Sequence, residues 1–132
     1  MSRLVLAICS LTGILLGQIR SREFPPDIVP PEVLRGRDAW TADPKHYKLE
    51  LENDRMRVLR LKLKADEAVP VHDDRDALWV CIKECHIRLA RPGGRSQDLH
   101  MQAGESRWVY AEARSEKNLS SEPLEMLVIE AK

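Results

Sequence analysis

Any chemistry in this chain has to be argued around His72. It lies in Val69-Pro70-Val71-His72-Asp73-Asp74-Arg75-Asp76, between two strand-like segments. His72 and Asp74 can both donate lone pairs to a divalent transition metal. Two protein ligands hold such an ion weakly against water, so a working centre needs a third group. His100, in Leu99-His100-Met101, and His86 are the candidates, and spacing alone places neither beside His72. Asp73, Asp74 and Asp76 could be read as a calcium site. They lack the EF-hand spacing, and a solvated turn accounts for them. Trp79 and Trp108 could stack on a sugar or an aromatic ligand, although core packing is the commoner use of a strand tryptophan. No serine sits in a nucleophile-elbow pattern, and nothing resembles a phosphate-cradling loop.

The 132 residues leave room for one domain and a short leader. The 21 basic and 21 acidic side chains give a formal net charge of zero. That balance argues against nucleic acid or an anionic membrane as a partner, since both attract a basic excess. One Phe, two Tyr and three Trp are too few for base-stacking platforms.

The N-terminus stands apart. Arg3 precedes an apolar run from Leu4 to Leu16, too short for a comfortable membrane span. Residues 1–20 read as a signal peptide, so the expectation is an exported protein, periplasmic or extracellular, anchored to the membrane if the leader is not cut. Cys9 lies too near the start, after a bulky Ile8, to be a lipoprotein acceptor. Residues 21–45 form a proline-rich arm. Pro25-Pro26 and Pro30-Pro31 favour extended backbone, Pro31–Arg35 allows one helical turn, and Trp40 and Tyr47 are expected to pack the arm onto the domain. Cys81 and Cys85 are expected to be reduced packing residues, because one is placed in a strand and the other in a turn, where their Cβ vectors need not converge. No Cys/His cluster has zinc spacing.

From Tyr47 the hydrophobic period becomes two. Tyr47–Glu52, Met56–Lys64, Ala77–Ile82, His86–Ala90, Gln97–Met101, Arg107–Tyr110 and Pro123–Glu130 read as strands. Asn53-Asp54, Pro92-Gly93-Gly94 and Ala103-Gly104-Glu105 read as turns. Short strands at this spacing, with no competing helical period, predict an all-β barrel or sandwich over residues 46–132.

The order of these segments resembles a small single-domain cupin from about Asp43 onward. Asp43-Pro44-Lys45-His46-Tyr47, Glu52-Asn53-Asp54-Arg55-Met56-Arg57-Val58-Leu59 and Glu122-Pro123-Leu124-Glu125-Met126-Leu127-Val128-Ile129-Glu130 are similar to a bacterial subgroup of mostly unassigned role. The family's first motif is Gly-x5-His-x-His-x3-4-Glu-x6-Gly. Here Asp66 stands at the first glycine and His72 at the first histidine. Asp74 replaces the second histidine, Leu78 or Trp79 the glutamate, and Cys85 the last glycine. The second motif is Gly-x5-Pro-x-Gly-x2-His-x3-Asn. Gly104 and Asn118 match, Tyr110 and Glu112 replace the proline and second glycine, and Arg114 takes the histidine position one residue early.

The resemblance implies a double-stranded β-helix, the cupin jelly-roll barrel, with a pocket at its mouth. It further implies a centre for Fe, Mn, Zn or Ni of which only His72 and Asp74 remain. Arginine is permanently protonated and cannot ligate. Asp74 and Arg114 stand at positions that approach one another in the family, so an inward, bidentate ion pair in the vacated metal site is one expectation. Side chains leaning out at the rim are the other. The ligand pocket implied is His72, Asp74, Arg114, Trp79 and His100. The expected role is a non-catalytic small-ligand-binding or structural module, without a cofactor and dimeric, with the arm as the exchanging segment. The alternative is a metal-dependent oxygenase or isomerase using His72, Asp74 and a further histidine.

Overall fold

A computed structural model of the chain describes residues 37–132. The leader at 1–20, the proline pairs of the arm and the turn expected at Pro31–Arg35 lie outside the described residues. Within them, a short helix α1 (Ala39–Ala42) precedes nine strands: β1 (Tyr47–Glu52), β2 (Met56–Leu63), β3 (His72–Asp74), β4 (Ala77–Cys81), β5 (Cys85–Ala90), β6 (Ser96–Met101), β7 (Ser106–Val109), β8 (Glu112–Asn118) and β9 (Leu124–Ala131).

The strands form two antiparallel sheets, ordered β1-β2-β9-β4-β7 and β3-β8-β5-β6. Alternation decides which side chains turn inward. Leu59, Leu61 and Leu63 of β2 meet Leu124, Met126 and Val128 of β9 in one continuous register from Met56↔Ala131 to Leu63↔Leu124. Ala77, Trp79 and Cys81 of β4 and Cys85, Ile87 and Leu89 of β5 complete the apolar interior from the two sheets. Each leucine so buried contributes about 1.5–3 kcal/mol. β1 departs from the pattern: Tyr47 is fully buried, the rest of this edge strand is exposed, and its pairing with β2 is interrupted by a bulge between Leu49 and Leu51.

β3 and β8 are strands that the hydrophobic period does not predict. The inward residues of β8 are Arg114, Glu116 and Asn118, and those of β3 are His72 and Asp74. Polar residues on the core face erase the alternation by which a half-buried strand is recognised. Asn118 ties this polar strand to the apolar sheet. Its Nδ2 donates to the carbonyls of Leu63 (3.3 Å), Lys64 (3.2 Å) and Glu122 (2.8 Å), and its Oδ1 accepts from Ser120 N (2.9 Å). Asp66, at the first glycine of the motif, has φ 61°, a conformation that aspartate tolerates better than most residues.

The described end of the arm packs on its own barrel. Asp73 N donates to Arg37 O at 2.8 Å, and Asp38 both caps α1 by accepting from Thr41 N (2.7 Å) and pairs with Arg57 Nη1 (2.8 Å). Arg57 Nε donates in turn to buried Glu130 (2.6 Å). Ala39 of this segment is buried, whereas Trp40 remains 37% exposed.

The two cysteines correct an expectation. Cys81 and Cys85 form a disulfide with Cα atoms 6.0 Å apart. The turn is Ile82-Lys83-Glu84, so Cys85 opens β5 rather than sitting in the turn. Because β4 and β5 belong to different sheets, both side chains face the shared interior and converge there. Trypsin cuts after Lys83, between the cysteines, so in unreduced protein the peptides Asp76–Lys83 and Glu84–Arg88 should run as one species and separate on reduction. Reduction should lower stability by about 2 kcal/mol, the loop-entropy value for so short a closure. Separate peptides before reduction would refute the bond.

Candidate functional site

β3 lies antiparallel to β8, with His72 directly opposite Arg114 and Asp74 opposite Glu112. That register brings His72, Asp74, Arg114 and Glu116 together inside the barrel, each no more than 6% exposed. β1 contributes Tyr47 and β4 contributes Trp79.

The hydrogen bonds fix the proton positions. His72 Nδ1 lies 2.9 Å from Pro70 O, and a carbonyl can only accept, so Nδ1 carries a proton. His72 Nε2 faces Asp74 Oδ1 at 3.0 Å, and Asp74, which is held ionised, can only accept; Glu116 Oε2 lies 3.5 Å away. The ring is therefore an imidazolium. Burial alone would depress its pKa, but the Asp74 hydrogen bond and the charges of Glu116 and Asp74 outweigh burial and raise it from 6.5 to about 9. Tyr47 packs edge-on against this ring and donates its hydroxyl to Glu116 Oε2 at 3.2 Å.

Arg114 points inward, and its bond to Asp74 is single rather than bidentate. Nε donates to Asp74 Oδ2 at 2.6 Å, while Oδ1 of the same carboxylate serves His72. Asp74 thus divides its two oxygens between two cations. Arg114 Nε also lies 3.5 Å from Glu116 Oε1, Nη1 donates to Tyr110 O at 3.4 Å, and the guanidinium stacks 4.9 Å from the centre of the Trp79 ring. Arg114 Nη2, Trp79 Nε1 and Glu116 Oε1 are buried without a hydrogen-bond partner.

The two carboxyls divide as two like charges in one dry site must. Burial raises Asp74, but the His72 hydrogen bond and the Arg114 charge outweigh it and hold Asp74 low and ionised. Burial and the neighbouring Asp74 charge both push Glu116 well above its ordinary range.

Of the residues predicted to line the pocket, His72, Asp74, Arg114 and Trp79 meet here. His100 does not. It is exposed on β6, paired with Glu84 and 5.5 Å from the His86 ring, and it lines a separate cavity of about 580 Å³ at the β4–β5 turn. That cavity is larger than the one of about 190 Å³ that Arg114 lines, but size alone does not make it the site, since most of its lining side chains are exposed and do not converge. The acidic run also disperses: Asp73 turns away from the interior, and Asp76 accepts from Ala111 N at 2.7 Å. Glu116 and Tyr47 are the members that sequence reasoning missed. A strand that sends Arg114 and Asn118 inward must send Glu116 inward too.

His72, Asp74 and Glu116 form the one group among the described residues that could hold a metal ion, their donor atoms lying within 4.8 Å of one another. Their spacing suits such an ion, because neighbouring donors in an octahedral shell of radius about 2.1 Å stand about 3 Å apart. Their charge state suits it poorly. A dication would have to expel the proton from His72 Nε2 and lie beside a guanidinium that cannot lose its charge.

In metal-free protein the His72 stabilisation is complete below pH 6.5 and is lost as pH rises through about 9. Raised Glu116 acts in the same direction above its unfolded value of 4.5, whereas lowered Asp74 gives stability that is lost as pH falls below 3.8. Melting temperature should therefore fall between pH 6.5 and 9, by an amount on the order of 3 kcal/mol in stability, and His72→Gln should flatten that decline. A profile that rises over this interval would contradict the imidazolium.

No family model and no curated protein matches the chain. Solved structures do. A cupin domain from Bordetella pertussis matches with TM-score 0.60 at 19% identity, covering 65% of this chain and 91% of that one. An RmlC-like cupin with a double-stranded β-helix fold from Methanocaldococcus jannaschii matches with TM-score 0.51 at 19% identity, covering 66% and 81%. The polyketide cyclase RemF from Streptomyces resistomycificus matches with TM-score 0.50 at 14% identity, covering 64% and 63%. At such identities the likeness concerns architecture, and together with the two-sheet topology it makes this chain a cupin-fold protein, a double-stranded β-helix.

Proposed function

We propose that this barrel is a non-catalytic module that binds a small ligand, with two built-in cations in place of a metal ion. The observation that carries the reading is the buried 2.6 Å bond from Arg114 Nε to Asp74 Oδ2. A permanent positive charge there neutralises the carboxylate and opposes entry of a dication. The protonated imidazole of His72 supports the same reading from the other side of Asp74.

The second reading is a metal-dependent enzyme, and the clustered donors of His72, Asp74 and Glu116 favour it. The Pro70 carbonyl already holds Nδ1–H, which is how ligating histidines are usually oriented. One protein of similar fold is a polyketide cyclase. When bound, a divalent ion would supply Lewis acidity; these three residues would hold it, with Arg114 beside them.

Export and a homodimer complete the proposal. The apolar run at 4–16 supports export. The edge strand β1, with Leu49 37% and Leu51 52% exposed, supports pairing with a second copy.

Protein purified without chelator should contain no stoichiometric Fe, Mn, Ni or Zn. Arg114→His, which replaces the cation with a donor, should raise Ni²⁺ affinity at least tenfold, about 1.4 kcal/mol. Arg114→Ala should cost about 3–5 kcal/mol of stability, as expected when a buried pair loses one partner. Stoichiometric metal in the unaltered protein that disappears in His72→Ala would establish the second reading instead.

A further inference from the structure

Beside the polar cluster, between the open edges of the two sheets, lies a cavity of about 190 Å³. Arg91, Arg107 and Arg114 line it against the single carboxylate of Glu112. Glu112 is already shared, paired with Arg91 Nε and 3.5 Å from Arg114 Nη1. With Arg114 offset by Asp74 and Arg91 by Glu112, Arg107 leaves the mouth one positive charge in excess, in a chain whose formal net charge is zero.

Two further observations bear on what that charge meets. Arg114 is 2% exposed, and its Nη2 is without a partner. A buried guanidinium donor left unmatched is costly, and an oxyanion is its natural complement. The remaining lining is apolar and aromatic: Leu89, Leu99 and Val109 form a wall, and Trp108 and Tyr110 stand at the rim, 47% and 74% exposed. Exposed aromatic rings next to guanidiniums form a surface on which a flat ligand can stack. The volume lies below the roughly 300–1,000 Å³ usual for drug-sized ligands, which limits an occupant to about one ring.

We infer that the barrel mouth is a binding site for a small aryl carboxylate, its carboxylate held by Arg91, Arg107 and Arg114 and its ring lodged against Trp108 and Tyr110. This rests on the ligand-binding reading above and gives it a chemical class. A phosphate would satisfy the guanidiniums and leave the aromatic rim unused. An uncharged aryl alcohol would do the reverse.

The test is titration of the full-length protein, followed by its tryptophan indole N–H resonances, with benzoate, benzyl alcohol and inorganic phosphate at low ionic strength. Benzoate should bind saturably, and the other two at least about tenfold more weakly, since each lacks one of the two recognition elements. Arg107→Gln and Trp108→Ala, both at exposed positions where folding is not at stake, should each weaken benzoate by about three- to tenfold. Absence of saturable benzoate binding, indifference of that binding to both substitutions, or equal binding of phosphate or benzyl alcohol would overturn the inference. Metal content measured on the same samples separates the two readings. Metal-free protein that ignores benzoate defeats the aryl-carboxylate site alone. Metal-loaded protein that binds benzoate defeats the metal-free reading alone.

Discussion

The interior of this barrel depends on how one carboxylate is shared. Asp74 gives one oxygen to the His72 imidazolium and the other to the Arg114 guanidinium, both out of water. Taking such ions from solvent costs several kcal/mol each, and mutual attraction offsets that cost only when every partner is placed. The placement comes from the β3–β8 register, which sets His72 against Arg114. A slip of β3 by one residue would turn His72 and Asp74 to the opposite face, away from Arg114 and Glu116, whose strand is held by β5 as well. The cluster and the pairing of two polar strands therefore require one another. The apolar sheet contributes the fixed frame: Trp79 lies under the guanidinium and Tyr47 against the imidazole.

Much of the architecture is legible in the residues themselves. β2 and β5 carry the alternation that a half-buried strand requires, β4 and β9 read as short apolar runs, and the turns at Asn53-Asp54 and Pro92-Gly93-Gly94 separate strands as expected. The segments that escape are β3 and β8, and they escape for a physical reason. A core face made of His72, Asp74, Arg114, Glu116 and Asn118 shows no hydrophobic period. The strands that build the site are thus the ones that periodicity cannot find. Family motif positions locate His72, Asp74 and Arg114, but the motif holds no carboxylate at the position of Glu116, so that residue has no signal except strand parity counted from Arg114. The cysteine pairing is missed on a similar point: a boundary error of one residue puts Cys85 in a turn instead of at the head of a strand facing Cys81.

Two kinds of polar core coexist here and behave differently. Around Asn118, the side-chain amide and its oxygen both find partners at ordinary distances, and the result is a latch between sheets. Around Arg114 the pairing is incomplete, with Nη2, the Trp79 indole N–H and Glu116 Oε1 all unmatched. Buried polar atoms in native proteins are nearly always paired, with protein groups, ordered water or an ion, and Arg57 Nη2 and Glu130 Oε1 share the unmatched state. The contrast lies within a single strand, since Asn118 is four residues from Arg114. It separates the part of β8 whose polar atoms are all matched from the part that leaves buried polar atoms unmatched.

The aim of His72 comes from the carbonyl of Pro70, a main-chain atom. No side-chain replacement at position 70 deletes that oxygen, and proline's ring restricts the backbone that carries it. The guanidinium opposite has no such insurance, because it is itself a side-chain group and a substitution at position 114 removes it. The two halves of the cluster therefore differ in their exposure to genetic drift: the imidazole's orientation is written into the chain path, whereas the charge that faces it can be exchanged in one mutational step.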